Sequence, residues 1–374
     1  MSKRIYLDSA ATTTVHPEVI KVMVEVLQND FGNPSSTHSF GRNSKTLVET
    51  SRKSIAKHLN CSAQEIIFTS SGTEATNWIL SSLVKTKQVK RIITSKIEHH
   101  ATLYTVLALQ SEFGIQVDFV SVLPSGAIDM KHLATLLQEG IPTLVTLMHV
   151  NNEIGTVLDL EQICALCQEN KALFHCDTVQ SIGKQEMDLT ALPIDFIVAS
   201  AHKFHGPKGI GFTFIRKTAS ITPFTYGGSQ EKGLRSGTEA VHQIAGMAKA
   251  LDLSYQNLEA DRKYISDLKD YCLSQLQINF PGYKRNGEAT FFNITNVLLP
   301  FSADKTAMIL FNLDMKGIAV SRGSACQSGS IRPSHVLAEI LTEEDLKKPS
   351  IRISFSQENT KEDIEGLIEG LKGI

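Results

Sequence analysis

The sequence predicts an α/β fold in which a mostly parallel sheet lies between helices and a smaller α+β region follows. Between residues 60 and 220, short apolar runs alternate with helical segments, as in parallel strands joined by crossover helices. From about residue 250, this alternation gives way to long polar helical segments and a few short strands. Apolar residues make up 42% of the 374-residue chain, which is enough for a large buried core.

The elements of the first region follow from hydrophobic periodicity. Six apolar runs are predicted to form strands: EIIFTS, RIITS, TLVTLMHV, LFHCD, DFIVAS and GFTFI. Four segments with apolar residues at helical spacing are predicted to form helices: ATNWILSSLV, YTVLALQSEF, KHLATLLQEG and LEQICALCQEN.

In the second region, the sequence predicts one long polar helix followed by short elements of both types. In order, they are the helix LDLSYQNLEADRKYISDLKDYCLSQL, the strand TFFNITNVLL, the helix DKTAMILFNLDM, the strand SIRISF and the amphipathic helix KEDIEGLIEGLKG. The boundary between the two regions is expected inside the long helix or just before it.

Composition gives no sign of nucleic-acid or membrane-surface binding, because the formal net charge is only −2. No apolar run approaches the roughly 18 residues of a membrane span. The N-terminal stretch MSKRIYLDSAATTT also lacks the apolar core of a secretory signal. We therefore expect a cytoplasmic protein.

Six cysteines in a chain of this length do not indicate a disulfide framework. Cys164 and Cys167 form a CxxC motif, but no second CxxC completes the four ligands of a zinc site. We interpret them as buried helix cysteines and expect no metal site. Cys326 differs, because the stretch SRGSACQSGS surrounds it with small residues typical of a mobile loop.

Ligands of such sheets bind beyond the carboxyl ends of the strands, so the residues that follow each strand are candidates for a site. The small residues from Ser71 to Asn77 lead into a helix and form either a phosphate site or an ordinary helix cap. His99 and Asn152 follow two further predicted strands. For both, a ligand-binding role and a structural role are open.

Two strand ends carry groups of opposite charge. Asp177 follows LFHC, and a buried carboxylate is costly unless it caps a helix or pairs with a cation such as a protonated ring nitrogen. Lys203 follows DFIVASAH, and a desolvated lysine can form an imine; Lys208 is the alternative lysine. A phosphate-binding helix end, a carboxylate and a lysine at one sheet edge suit pyridoxal phosphate (PLP).

A series of motifs then identifies a family. They are YLDSAATTTVHP, FGNPSSTHSFGR, FTSSGTEATN, EHHA, VNNEIGT, DTVQSIGK, SAHKFHGPKGIG, RSGTEA, GSACQSGS and IRISF. Together they resemble the cysteine desulfurases of the NifS/IscS type, in the class V aminotransferase group with the fold type I PLP architecture. The motifs run in order from residue 6 to residue 355. SAHK with DxxQ is specific for the fold group, and GSAC with SG for the desulfurases with a shorter loop.

The resemblance implies a large PLP-binding domain with a mostly parallel seven-stranded sheet between helices, formed by residues 15–250. Residues 1–14 and 251–374 would form a small α+β domain that carries the cysteine loop. The resemblance also implies a homodimer.

The resemblance assigns roles to individual residues. Lys203 would hold PLP as a Schiff base, Asp177 would pair with the ring nitrogen, and Gln180 would bond the phenolic oxygen of the ring. His99 would stack on the ring and assist proton transfer. The other implied cofactor-binding residues are Gly72, Thr73, Asn152, Ser200, Ala201, His202 and, for the phosphate bound by the other subunit, Thr238.

Substrate binding is implied for three residues and sulfur transfer for one. Arg352 would clamp the substrate carboxylate bidentately, with Asn33 and Asn152 nearby. The implied reaction converts L-cysteine to L-alanine and passes the sulfur to the Cys326 thiolate as a persulfide, then to an acceptor such as an iron–sulfur scaffold or tRNA-thiolation protein. Selenocysteine lyase, cysteine-sulfinate desulfinase and a non-catalytic scaffold in a sulfur-transfer complex are the alternatives.

The sequence departs from the motifs of the family at four positions. Ser9, Thr178 and Thr76 replace residues that are common in those motifs, and none of them removes a catalytic group. Arg322 precedes GSAC, where a small residue is frequent. It either raises the local positive potential or points outward into solvent, and we expect the second.

Overall fold

A seven-stranded sheet forms the centre of the larger part of the protein. The computed structural model describes residues 4–322 and 334–374. In spatial order, the strands of this sheet are β2 (Ile66–Thr69), β8 (Gly211–Ile215), β7 (Phe196–Ser200), β6 (Leu173–Asp177), β5 (Thr143–Met148), β3 (Arg91–Ser95) and β4 (Gln116–Val120). Strand β8 runs antiparallel to both of its neighbours, and the other pairs are parallel. The predicted fold class is confirmed.

Successive residues of each strand point to opposite faces of the sheet and pack into two separate cores. On β2, for example, Phe68 packs in one core and Ile67 in the other. The first core is covered by α1 (Pro17–Asn29), α2 (Ser39–His58), α5 (Met130–Leu137), α6 (Leu160–Glu169) and α7 (Val241–Gln256). The second is covered by α3 (Gly72–Lys85) and α4 (His100–Phe113). Because both faces are buried, most of these strands read as continuous apolar runs.

Strand β4 is the one member of this sheet that is not among the six predicted apolar runs. It lies at the edge of the sheet, and all of its residues except Val120 are exposed or half-buried. Gln116 and Asp118 interrupt the apolar pattern on which the prediction depends. An edge strand needs less burial than a central one, so its hydrophobic signal is weaker.

The single long helix predicted from residue 251 onward is wrong. The structure has two helices that meet at Asn257, where α7 ends and α8 (Leu258–Asn279) begins. The physical reason is a change of core: Leu251 packs in the core of the large sheet, whereas Ile265 and Leu268 pack in a different cluster. A single straight helix would not place apolar side chains in both of these clusters.

The smaller part of the protein is built around this other cluster. Its antiparallel sheet contains β12 (Ser350–Ser354), β10 (Ile294–Leu298) and β9 (Lys284–Arg285), and a second small sheet pairs β1 (Ile5–Tyr6) with β11 (Ile318–Ala319). Its helices are α8, α9 (Ile309–Met315), α10 (His335–Ile340), α11 (Glu343–Lys347) and α12 (Lys361–Lys372).

The N-terminal segment joins the two parts of the protein. Leu7 packs in the small cluster, and Thr13 donates its backbone N–H to the carbonyl of His202 beyond β7. We propose the division into residues 15–250 and residues 1–14 with 251–374, which the separate cores support. The segment therefore lies where groups from both parts can meet.

Neither a membrane-spanning helix nor a metal-binding cluster is found among the residues that the structure describes. Within residues 4–322 and 334–374, no helix is long and apolar enough to cross a membrane. The same residues hold no group of three or more His, Cys, Asp or Glu side chains arranged for a metal ion. Cys164 and Cys167 are free and buried on α6, which confirms their interpretation as core cysteines.

Candidate active site

The backbone carbonyl of Ala10 accepts hydrogen bonds from two side chains that follow different strands of the sheet. Lys203 donates from Nζ to the Ala10 oxygen over 2.5 Å, and Gln180 donates from Nε2 to the same oxygen over 2.9 Å. Lys203 also donates to the carbonyl of Ala11 over 2.9 Å. The turns after β6 and β7 thus converge on the N-terminal segment at the carboxyl edge of the sheet, as predicted for a ligand site.

The turn that carries Lys203 is fixed by short-range geometry. Residues Ala201–Lys203 form one turn of 3₁₀ helix directly after β7. Thr13 holds this turn, because its hydroxyl donates to the His202 carbonyl and accepts from the His205 backbone N–H. The chain also returns so closely at Gly206 that a Cβ there would lie 2.8 Å from the Ala201 side chain. Lys203 is therefore carried by a rigid turn.

Asp177 is a buried carboxylate at the end of β6. Burial raises its pKa to about 6, although the Val179 backbone N–H and the Lys203 charge both oppose the shift. A carboxylate in such a place favours a cationic partner that would restore its ionised form. Gln180, in the same turn, has its Oε1 buried without a hydrogen-bond partner in the described part of the chain.

We expect Asp177→Asn to make the cofactor-free protein more stable at pH 7 by roughly 3 kcal/mol. The pKa of Asp177 in the folded protein, about 6, lies above the ordinary value of 3.8. The folded state thus loses stability as the pH rises from about 4 to about 6, and each pKa unit corresponds to about 1.4 kcal/mol. Urea unfolding of both proteins at pH 4 and pH 7 measures this; a variant less stable than wild type at pH 7 would contradict it.

The start of α3 packs closely against the residues that follow β6 and end β7, and this close approach requires a glycine at position 72. Gly72 donates its backbone N–H to the Ser200 hydroxyl over 2.8 Å, and Ser71 caps the helix by accepting from the Glu74 N–H. A Cβ at Gly72 would lie 2.7 Å from the Val179 side chain, so a larger residue does not fit. The positive end of α3 therefore opens beside the turns of Asp177 and Lys203, where a phosphate group would be stabilised.

Three other residues are predicted to hold the phosphate. Thr73, in the first turn of α3, is exposed, and Ala201 is buried in the turn after β7. His202 pairs its Nδ1 with the Thr12 hydroxyl at 3.2 Å. Burial and the neighbouring lysines, Lys203 foremost, lower the pKa of His202 to about 4, so its ring is neutral at physiological pH.

His99 caps α4 and holds its ring in one tautomer. Its Nδ1 accepts from the Ala101 backbone N–H over 3.1 Å, so the neutral ring carries its proton on Nε2. Burial and then the Lys203 charge lower the pKa of His99 to about 4. The ring is a neutral N–H donor close enough to Lys203 for their charges to interact.

Arg352 is a deeply buried charged residue of the site, with its side chain 1% exposed. On β12, it donates from Nη1 to the Asn152 carbonyl and from Nη2 to Oδ1 of Asp8, both over 2.7 Å. The structure thus brings Arg352 and the backbone of Asn152 together, and their substrate-binding roles remain predictions.

The structure does not bring every predicted residue into this cluster. Asn33 is exposed in the connection between α1 and α2, where its side chain accepts from the Ser35 backbone N–H. Thr238 is exposed as well, before the start of α7. Neither contacts the other predicted site residues among those described, and their roles remain predictions. Cys326 and its predicted loop lie outside the described residues.

The departures from the family motifs are accommodated locally. Thr178 is buried and donates to the Val198 carbonyl, and Ser9 is buried where its backbone N–H meets β12. Thr76 is buried on α3. Arg322 is half-buried and donates to the Thr306 carbonyl over 3.0 Å, so the expected outward, solvated side chain is wrong. The physical reason is that a free carbonyl lies within reach at the end of a 3₁₀ turn.

Two carboxylates of the site, the half-buried Asp8 and the buried Glu98, do not stand out in the sequence. Asp8 reads only as a charge in an apolar stretch, and Glu98 only as a neighbour of His99. Glu98 accepts from the Met148 backbone N–H, and burial raises its pKa well above the usual range, with the nearby Asp177 charge adding to the shift. A carboxylate inside an otherwise apolar stretch is the signal that could have found Asp8, whereas Glu98 lies among polar residues and gives no such signal.

The residues present fit PLP. The carboxylate of Asp177, the amine of Lys203 and the positive helix end at Gly72 are the three groups that PLP requires for its ring nitrogen, aldehyde and phosphate. The unused Oε1 of Gln180 and the space that a Cβ would close at Gly72 are further features of a ligand cradle.

Comparisons with known proteins agree in family and fold. The model of the aminotransferase class-V family matches residues 5–367. A cysteine desulfurase IscS from Dictyoglomus turgidum is 38% identical over 377 residues, covering 100% of this chain and 95% of that protein. The solved structure of a NifS-like protein has a TM-score of 0.91 at 34% identity and 99% coverage of both chains. That of SspA in complex with cysteine has a TM-score of 0.81 at 30% identity, covering 95% of this chain and 100% of that one.

Proposed function

The chain belongs to the aminotransferase class-V family and is a cysteine desulfurase, and from this premise we propose which of its residues bind the cofactor, hold the substrate and carry the sulfur. It converts L-cysteine to L-alanine. The observation that carries the assignment of residues is the convergence of Lys203 and Gln180 on the Ala10 carbonyl, beside the buried carboxylate of Asp177.

PLP is the cofactor that the family implies, and we propose that this chain binds it at the carboxyl edge of the sheet. Lys203 would hold it through Nζ, Asp177 would pair with the ring nitrogen, and Gln180 and His99 would contact the ring. The phosphate would lie at the start of α3, with Gly72, Thr73, Ser200, Ala201 and His202. Asn152 would lie on the cofactor and substrate side. When bound, PLP supplies an electron sink for the carbon that carries the substrate amine.

The substrate would be oriented by its carboxylate. The guanidinium of Arg352 has a planar fork of donors suited to a carboxylate, and its Nε is buried without a partner in the described part of the chain. A neighbouring solved structure contains cysteine, which supports L-cysteine as the ligand of this fork. Asn33 is proposed to lie near the same carboxylate in the assembled enzyme.

Protons and sulfur would be moved by side chains. Lys203, once released, and His99, through Nε2, would take and return protons at the substrate. The Cys326 thiolate would take the substrate sulfur as a persulfide, and the three-carbon remainder would take a proton at the carbon that lost the sulfur and leave as L-alanine. The thiols of the other five cysteines support this choice: burial raises the pKa of each, to about 12 at Cys61.

We expect His99→Ala to lower turnover of L-cysteine by about 10²- to 10⁴-fold, the usual contribution of a positioned proton-transfer group. Rates of alanine formation at saturating L-cysteine measure this. His100→Ala is the matched control, because His100 is adjacent but only half-buried, and its ring stacks on Tyr104 at 4.7 Å. Equal rates in the two variants would exclude the proposed role of His99.

A homodimer, a protein acceptor and a cytoplasmic location complete the proposal. The exposed apolar side chains Ile20, Val24 and Leu27 on α1 and the exposed Thr238 support a second copy that completes each site. The acceptor would be a sulfur-carrying protein such as an iron–sulfur scaffold. Light scattering tests the dimer, and transfer of labelled sulfur from the loaded enzyme to a purified scaffold tests the acceptor.

The function itself is tested by incubating the purified protein, loaded with PLP, with L-cysteine and a thiol reductant. We expect alanine and sulfide in equal amounts. Formation of pyruvate and ammonia in place of alanine would contradict the assignment, because that outcome would be elimination and not sulfur transfer.

A further inference from the structure

In the described part of the chain, Arg352 forms one ion pair, with Asp8 of the same chain. Its side chain is 1% exposed and 2.7 Å separates Nη2 from Oδ1 of Asp8. The Asn152 carbonyl accepts from Nη1, and Nε has no partner among the described residues. A buried guanidinium requires a counter-charge, because an isolated buried charge is very costly. Asp8 supplies that charge when no substrate is bound.

Asp8 is itself held on both carboxylate oxygens. Its Oδ2 accepts from the Ser321 hydroxyl over 2.9 Å, while Oδ1 accepts from Arg352. The backbone of Asp8 forms a bridge with Ser354, two residues beyond Arg352 on β12. With only 15% of its side chain exposed, the carboxylate has a single well-defined position.

Ser321 contacts Arg352 as well as Asp8. Its backbone donates to and accepts from the backbone of Arg352, over 3.2 Å and 2.6 Å. Three segments therefore contact Arg352 on β12: Asp8 and Asn152 contact its guanidinium, and Ser321 contacts its backbone. The contacts of Asp8 and Asn152 fix the plane of the guanidinium and take two of its five N–H donors, which leaves three for a ligand.

We propose that Asp8 is a positioning residue that holds the Arg352 fork in place for the carboxylate of the substrate. This inference rests on the proposed role of Arg352 in substrate binding. Two carboxylates on one cation repel each other, so Asp8 also has an opposing effect on the affinity for substrate. The fixed fork outweighs this repulsion, because a side chain held by its surroundings binds without losing conformational freedom.

The proposal predicts a selective loss of recognition of the substrate carboxylate. In Asp8→Ala, we expect the KM for L-cysteine to rise by about 10- to 100-fold, as for loss of a charged hydrogen bond, with kcat changed much less. Cysteamine, which has the amine and thiol of cysteine but no carboxylate, should inhibit the variant and the wild type with the same inhibition constant. Asp8→Asn keeps an acceptor at Oδ1, so its KM should fall between those of Asp8→Ala and the wild type.

The experiment measures KM for L-cysteine and the inhibition constant of cysteamine in the PLP-loaded wild type and in Asp8→Ala, Asp8→Asn, Arg352→Ala and Asp345→Ala. Asp345 forms an ion pair with Lys284 outside the site, so its variant is the matched control and should resemble the wild type. In the double variant of Asp8 and Arg352, we expect no further loss beyond that of Arg352→Ala.

Three results would overturn the proposal. If Asp8→Ala weakens L-cysteine and cysteamine equally, Asp8 has a structural role only. If Arg352→Ala raises the KM for L-cysteine selectively and the Asp8 variants do not, Arg352 binds the carboxylate without Asp8. If Arg352→Ala itself has no selective effect, the proposed role of Arg352 fails together with that of Asp8. Should Asp8→Ala not fold, Asp8→Asn decides: a KM for L-cysteine at or below that of the wild type contradicts the proposal.

Discussion

Replacing Cys326 by serine is expected to abolish sulfur transfer from L-cysteine while leaving PLP bound. A serine hydroxyl is not ionised near neutral pH and cannot form a persulfide, whereas a cysteine thiolate is a strong nucleophile. We expect a loss of about 10³-fold or more in alanine formation, since the reaction loses its only acceptor for the sulfur atom. The absorbance of bound PLP should be unchanged, because the predicted cofactor contacts do not include Cys326.

Cys61→Ser is the matched control for this variant. Cys61 is the only one of the described cysteines that is not fully buried, and burial with the nearby Glu65 raises the pKa of its thiol to about 12. It is therefore a protonated thiol at working pH, and its loss should leave the rate within about twofold of wild type. A Cys326→Ser protein with the wild-type rate would mean that sulfur leaves the substrate without a protein thiol.

Lys203→Ala is expected to remove both covalent PLP binding and activity. The amine of Lys203 lies on a rigid turn, 2.5 Å from the Ala10 carbonyl, and its charge lowers the pKa of both Asp177 and His99. Loss of an amine that holds the cofactor and moves protons should cost about 10³-fold or more in turnover. Reduction with borohydride should fix PLP to the wild type and not to this variant.

The alternative lysine supplies the control. Lys208 follows the same strand but is exposed in the Gly/Pro turn. Lys208→Ala should keep the covalently bound PLP and most of the activity. If borohydride labels Lys208 in the wild type, the assignment of Lys203 is wrong.

Much of this site could be predicted from the sequence because its parts are local. A buried parallel strand reads as an apolar run, and the residue that follows it lies at the ligand-binding edge of the sheet. The apolar runs alone therefore place Asp177 and Lys203 at one edge. The choice between PLP chemistry and ordinary caps depends on the resemblance of whole motifs, not on any single residue.

What could not be predicted depends on contacts between distant segments. Nothing in YLDSAATTT indicates that the Ala10 carbonyl would accept from Lys203 and Gln180, more than 160 residues away. The ion pair between Asp8 and Arg352 likewise joins residues that are 344 positions apart in the sequence. The break at Asn257 is hidden because both helices have continuous helical periodicity, and only the change of core between them requires a turn.

A single turnover shows whether Cys326 receives the sulfur of L-cysteine. The PLP-loaded protein is mixed with one equivalent of L-cysteine without reductant, quenched and digested. The masses of the peptides are then measured by mass spectrometry, and the alanine formed is quantified. We expect one alanine per protein and a gain of one sulfur atom on the peptide that carries Cys326, and on no other. Alanine formed with that peptide unchanged, and the sulfur free in solution or on another cysteine, would contradict it.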